Sequence, residues 1–172
     1  MSWVIVPAIA ALLALFAILV RGSLIGLRDS VRQSWTGLDA LLLERHELLE
    51  DLVDLCALHL RYEADALERV ARADDAAYRA AARADIPALA AAEQTLRASV
   101  TSLLALAENY PVLSSDPGFL ALRERILDLG TAILERRELY NSAVNLLNVR
   151  SQAFPNRMIA RALGLHAEAL FE

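Results

Sequence analysis

Hydrophobic residues follow two patterns along this chain. Residues 3–20 form one apolar run without a charge. At helical rise such a run spans ~27 Å, close to the ~30 Å hydrocarbon core of a bilayer. Beyond it, apolar positions recur at steps of three and four, as amphipathic helices require. Val31, Trp35, Leu38, Leu42, Leu49, Val53, Cys56, Leu60, Leu67 and Val70 make one stripe. It predicts a first helix that continues out of the apolar run for about forty residues. A break is expected near Asp85-Ile86-Pro87, because proline disfavours helix in the residue before it. Leu89, Leu96, Val100, Leu103, Ala107 and Tyr110 then mark a second helix over residues 87–109, closed by Pro111. Asp116 before Pro117 reads as an N-cap followed by a proline at the first helical position. It opens a third helix to residue 152, with Leu122, Ile126, Leu129, Ile133, Tyr140, Val144 and Leu147 inward. Pro155 closes that helix, Asn156 caps a short last one, and Gly164 stops it.

Amphipathic helices on short links pack antiparallel to hide their stripes. The expected fold is therefore all-α: a single N-terminal transmembrane helix, then an elongated antiparallel bundle of three long helices plus a short C-terminal helix. The divisions are residues 1–22 for the anchor, 23–155 for the bundle, and 156–172 for the short helix and tail. The stripes repeat closer to 3.5 than to 3.6 residues, consistent with gentle left-handed supercoiling. Residues 63–94 are alanine-rich and charged, and small side chains bury little area, so thin packing is expected there.

The apolar run reads as a retained anchor, since it lacks the basic leader of a signal peptide and is longer than usual. Ala8-Ile9-Ala10 supports the competing reading of a cleaved signal. Arg21, Arg28 and Arg32 follow the run, and nothing basic but the α-amine precedes it. The positive-inside rule then places the bundle in the cytoplasm, with a periplasmic or external bundle as the alternative. Ala10, Ala14 and Ala17 share one side of this helix, as a packing face or as chance in an alanine-rich chain.

Composition sharpens this picture in a few places. Only six glycines and five prolines interrupt 172 residues, and alanine and leucine dominate the apolar fraction. The net charge is −5, yet residues 21–33 carry three arginines against Asp29. A net-acidic bundle argues against nucleic acid as a partner, because such binding rests on phosphate neutralisation. Every basic residue is arginine, which we read as codon bias. Cys56 is the only cysteine, so no internal disulfide forms.

Several strings resemble the LemA family. They are Ser23-Leu24-Ile25, Leu27-Arg28, Val31, Trp35, Leu38-Asp39, Leu42, Arg45-His46-Glu47-Leu48-Leu49 and Leu52-Val53 on the first helix. Glu108-Asn109-Tyr110-Pro111, Phe119 and Leu122 follow, then Ile133, Arg137, Tyr140-Asn141, Ala143-Val144, Asn148, Phe154-Pro155 and a terminal Phe171-Glu172. The family commonly carries proline–asparagine where this chain has Glu50-Asp51, which should leave the first helix straighter here. It carries glutamate where this chain has Gly130, and lysines near Leu165-His166-Ala167-Glu168. The resemblance implies an N-terminal anchor, an antiparallel bundle and no established enzymatic activity. Members look like scaffold or accessory proteins; one branch is similar to magnetosome-membrane proteins, and some are encoded beside membrane zinc peptidases.

Candidate chemistry is sparse. Cys56, His59 and Glu63 share one helical face, but a metal site needs ligands from a second element, so packing of Cys56 as a small hydrophobe is the favoured reading. Arg45 near the first stripe, and Arg137 beside Tyr140, need partners if buried. Glu93 and Glu108 are available to form an interhelical lock; an anion or partner site is the alternative. Asn141, Asn145 and Asn148 make a polar stripe beside Tyr140. It serves either hydrogen bonds inside the bundle or docking of another protomer. With Glu108, Asn109 and Tyr110, these are the structural or interaction candidates. No phosphate loop, nucleophile elbow or zinc spacing appears.

The chain is therefore expected to be a non-enzymatic scaffold or interaction protein, with no cofactor, metal or catalytic residue. Its expected partners are the bilayer, through residues 3–20, and proteins or copies of itself, with no nucleic acid or small-molecule substrate. An accessory subunit of a membrane enzyme such as a zinc peptidase is the alternative.

Overall fold

A computed structural model describes residues 2–60 and 62–172, with side chains at all of these except positions 2–4 and 13. Met1 and the Trp3 side chain, at the start of the expected anchor, lie outside that set. Every regular element among the described residues is a helix. They are α1 (Ser2–His59), α2 (Ala64–Ala82), α3 (Ile86–Ala107), α4 (Pro111–Ser114), α5 (Pro117–Gln152) and α6 (Asn156–Ala162).

The apolar run and the first amphipathic stripe belong to one unbroken 58-residue helix, with Pro7 inside its first turns. An 18-residue window in it has mean hydropathy 2.4, and only 6% of that window is buried. This one helix is long and apolar enough to cross a membrane. From Leu24 onward α1 acquires a buried face, including Leu38, Leu49, Leu52 and Cys56.

The chain departs from the expected three long helices. α1 ends at His59, and the Glu63 N–H bonds the Leu60 carbonyl at 3.0 Å. Residues 64–82 then fold back along α1 as a separate helix, making four long helices among the described residues. No glycine or proline marks this turn. Helix propensity alone would continue the rod, but the alanine face of α2 gains burial by closing on α1 and α3, and packing overrides propensity. Ala66, Leu67, Val70, Ala73, Ala77, Ala80 and Ala81 are all buried. The alanine-rich stretch is thus a packed layer of the bundle and not a distal extension of helix one.

At the other end of α2, the Asp85 N–H bonds the Ala80 carbonyl at 3.0 Å while Ala84 takes φ +52°. This is a left-handed helix stop built on alanine. Asp85 then caps α3 through the Ala88 N–H at 3.2 Å. Asp116 caps α5 as expected, accepting from the Phe119 N–H at 2.9 Å. α1 packs most extensively on α5, and α2 on α3. Leu55 lies beside Gly118 and Trp35 beside Tyr140, so α5 runs antiparallel to α1.

Past α5, α6 ends at Gly164 in a left-handed conformation, with the Leu165 N–H bonding the Ala160 carbonyl at 3.0 Å. The capping residue of α6 is Pro155, and the Asn156 side chain instead donates to the Arg150 carbonyl at 3.2 Å. The last eight residues have no regular structure and return along α5, where they bury Phe171.

Candidate functional site

Two polar constellations stand out against the leucine and alanine core. The first lies midway along α1. Arg45 makes a two-pronged ion pair with Glu93 of α3, one arm at 2.8 Å, and both side chains are 12% exposed. On the next residue of α1, His46 Nδ1 meets a carboxylate oxygen of Asp74 on α2 at 2.6 Å. The Tyr78 ring stacks on the imidazole, with centroids 4.3 Å apart and planes 15° apart. Burial pushes the Asp74 carboxyl above its usual range, and the hydrogen bond from His46 works in the opposite direction. Arg45, His46, Asp74 and Tyr78, with Asp39 and Leu42, border a cavity of about 160 Å³. Adjacent polar residues of α1 thus tie it to two different helices, which fixes rotation and register together. This arrangement positions helices: Arg45 is paired with Glu93 and His46 with Asp74.

The second constellation is on α5. The Asn141 amide donates to the Phe171 carbonyl and accepts the Phe171 N–H, both at 2.8 Å. Two turns on, Asn148 does the same with Glu168, at 2.9 and 3.0 Å. Tyr140 donates its hydroxyl to the Ala169 carbonyl at 3.2 Å and sits edge-on to Trp35, centroids 5.7 Å apart. Burial raises the Tyr140 phenol pKa, with Glu168 adding to the effect. Arg137 lies over the Phe171 ring, 5.7 Å from its centroid, in a cation–π contact. A side-chain amide can satisfy one residue's N–H and C=O together, as a neighbouring strand would. Asparagines 141 and 148 therefore hold an extended tail without a sheet.

The remaining candidates are dispersed. Asn145 is exposed, between the two clamping asparagines. Glu108 pairs with Arg123 at 3.3 Å on the surface, and not with Arg45. Tyr110 donates to Glu63 at 3.3 Å across the far end of the bundle, and both burial and that carboxylate raise its pKa. Asn109 is exposed in the turn after α3. Cys56 is fully buried, with its thiol pushed up to about 11 by burial. His59 ends α1, and Glu63 lies beyond the turn. The shared face inferred for Cys56, His59 and Glu63 does not exist, because the helix that would carry it stops.

His46, Asp74 and Phe171 carry contacts that periodicity does not point to. Asp74 follows Leu67, Val70 and Ala73 on the buried face of α2, and a carboxylate inside an apolar stripe was the available signal.

These features define a class: an all-helical bundle protein with an apolar N-terminal helix, whose polar interior fastens helices and tail. The LemA family model matches residues 34–172, and the chain belongs to the LemA family. The match begins beyond the apolar run and beyond the Ser23–Val31 stretch of the resemblance. A comparison with curated proteins finds no match.

Proposed function

We propose that this protein is a membrane-anchored, non-enzymatic scaffold. Residues 3–20 cross the bacterial inner membrane, and an elongated antiparallel bundle presents its helical faces to protein partners or to other copies from the cytoplasmic side. The observation that carries the reading is the continuity of α1: its apolar segment and its core-forming segment share one helix without a break. Any partner held by the bundle is thereby held at a set orientation to the bilayer. Family membership agrees with this reading.

Protease added to intact spheroplasts tests the placement. The bundle should survive until the membrane is opened; digestion from outside would refute the cytoplasmic side. Purification in detergent tests the role, with self-association or several partners expected.

The second reading is an accessory subunit of a membrane enzyme, to which the bundle would offer a groove between α3 and α5. The groove has a volume of about 310 Å³ and is lined by Leu96, Val100, Leu104, Ile126 and Ile133, with Gly130 on its wall. Recovery of one enzyme in fixed stoichiometry would select that reading over the first.

A further inference from the structure

The end of the bundle nearest the apolar run differs in charge and exposure from the rest of the molecule. Ile159, Ala162 and Leu163 of α6, with Met158, border a shallow groove against Ala17, Ile18 and Arg21 of α1. Ala160 is buried, and α6 packs on both α5 and α1. Phe154, just before α6, is 85% exposed, and Met158, four residues on and bordering that groove, is 69% exposed. Large apolar side chains displayed together mark a surface that meets something.

The charge pattern says what. Although the chain is net acidic, no aspartate or glutamate occurs in residues 139–167 or 1–28. Arg21, Arg28, Arg150, Arg157 and Arg161 fall in those stretches and are exposed. None forms an ion pair with a carboxylate among the described residues. Exposed aromatic and methionine side chains flanked by free arginines match the boundary between lipid headgroups and acyl chains.

We propose that this end of the bundle is a second membrane contact, lying on the headgroup layer of an anionic bilayer. Phe154 and Met158 enter the acyl boundary, and Arg150, Arg157 and Arg161 meet lipid phosphates. The proposal rests on the anchor reading, because the apolar run brings α6 to the surface. The contact would add a second point of attachment to the bilayer beside the span.

The test uses the full chain in vesicles of phosphatidylcholine alone or mixed with phosphatidylglycerol, carrying acyl-brominated lipid. A bimane label is placed in turn at Met158→Cys, Leu12→Cys and Leu58→Cys; buried Cys56 stays unlabelled. The expected result is quenching at position 12 in both vesicles, at 158 chiefly in the anionic ones, and none at 58. Substituting Arg150, Arg157 and Arg161 by glutamine should remove more than half of the quenching at 158 and none of that at 12. Quenching at 12 without quenching at 158 would overturn the proposal and leave the anchor standing. Absence at both positions would overturn the anchor itself. A label at 158 shielded from water in a concentration-dependent way, but not quenched by lipid, would show a second copy on this face and overturn the proposal.

Discussion

Arg45 and Glu93 offer a direct test of what fastens the bundle. Replacing Arg45 by methionine keeps volume on the α1 face but leaves the Glu93 carboxylate buried without its partner. Both side chains are 12% exposed, so solvent screens little of the loss. Breaking a buried pair in this way costs about 3–5 kcal/mol. At roughly 2–4 °C per kcal/mol for a domain of this size, the melting temperature should fall by roughly 6–20 °C. Circular dichroism at 222 nm in detergent micelles measures it. The control is Arg125→Met, whose pair with Glu44 is 60% and 38% exposed, and which should cost at most about 1 kcal/mol. The double variant R45M/E93L should recover most of the loss. Apolar replacement of a whole buried pair is often neutral or better, and the Arg45 Nε is already without a partner. Equal melting temperatures for R45M and R125M would refute the idea that this pair locks α1 to α3.

Three further outcomes are expected. Ala84→Gly should raise the melting temperature by roughly 2–4 °C in the same assay, since a left-handed alanine costs about 1 kcal/mol that glycine avoids. Asn141→Ala and Asn148→Ala should each speed removal of the tail by carboxypeptidase, while Asn145→Ala should match the parent; equal rates for all three would refute the clamp. The Cys56 thiol should resist Ellman's reagent at pH 8 until denaturant is added. Because its folded pKa, about 11, lies above that of the unfolded thiol, its stabilising contribution is whole below the unfolded value and lost as pH rises towards 11. A fast native reaction at pH 8 would contradict the burial.

The stripes were legible because burial in helices imposes a period. Leu38, Leu103 and Val144 were assigned inward on spacing alone and are fully buried. Asp116 was legible because capping is local chemistry, complete within four residues. The reversal after α1 was not, since no residue there breaks a helix; it exists because the alanine face of α2 gains burial against the leucine faces of α1 and α3. The candidate asparagines were visible as a stripe, but their partner was not. Asn141 and Asn148 bind backbone groups of Glu168 and Phe171, and a backbone partner leaves no side-chain pattern to read. His46 and Asp74 were hidden for a related reason: their pairing depends on α2 folding back, which the uninterrupted stripe concealed.

The unbroken α1 also acts as a lever. Some forty residues separate the end of its apolar run from its tip, roughly 60 Å at helical rise, with no joint along the way. Under the proposed anchor α1 would tilt to match the bilayer, and spanning helices lie about 20° from the normal on average. A tilt of that size at the base would displace the tip at Leu60 sideways by about 20 Å relative to an upright helix. Thinning or thickening of the lipid would thus be translated into the reach of whatever the tip holds.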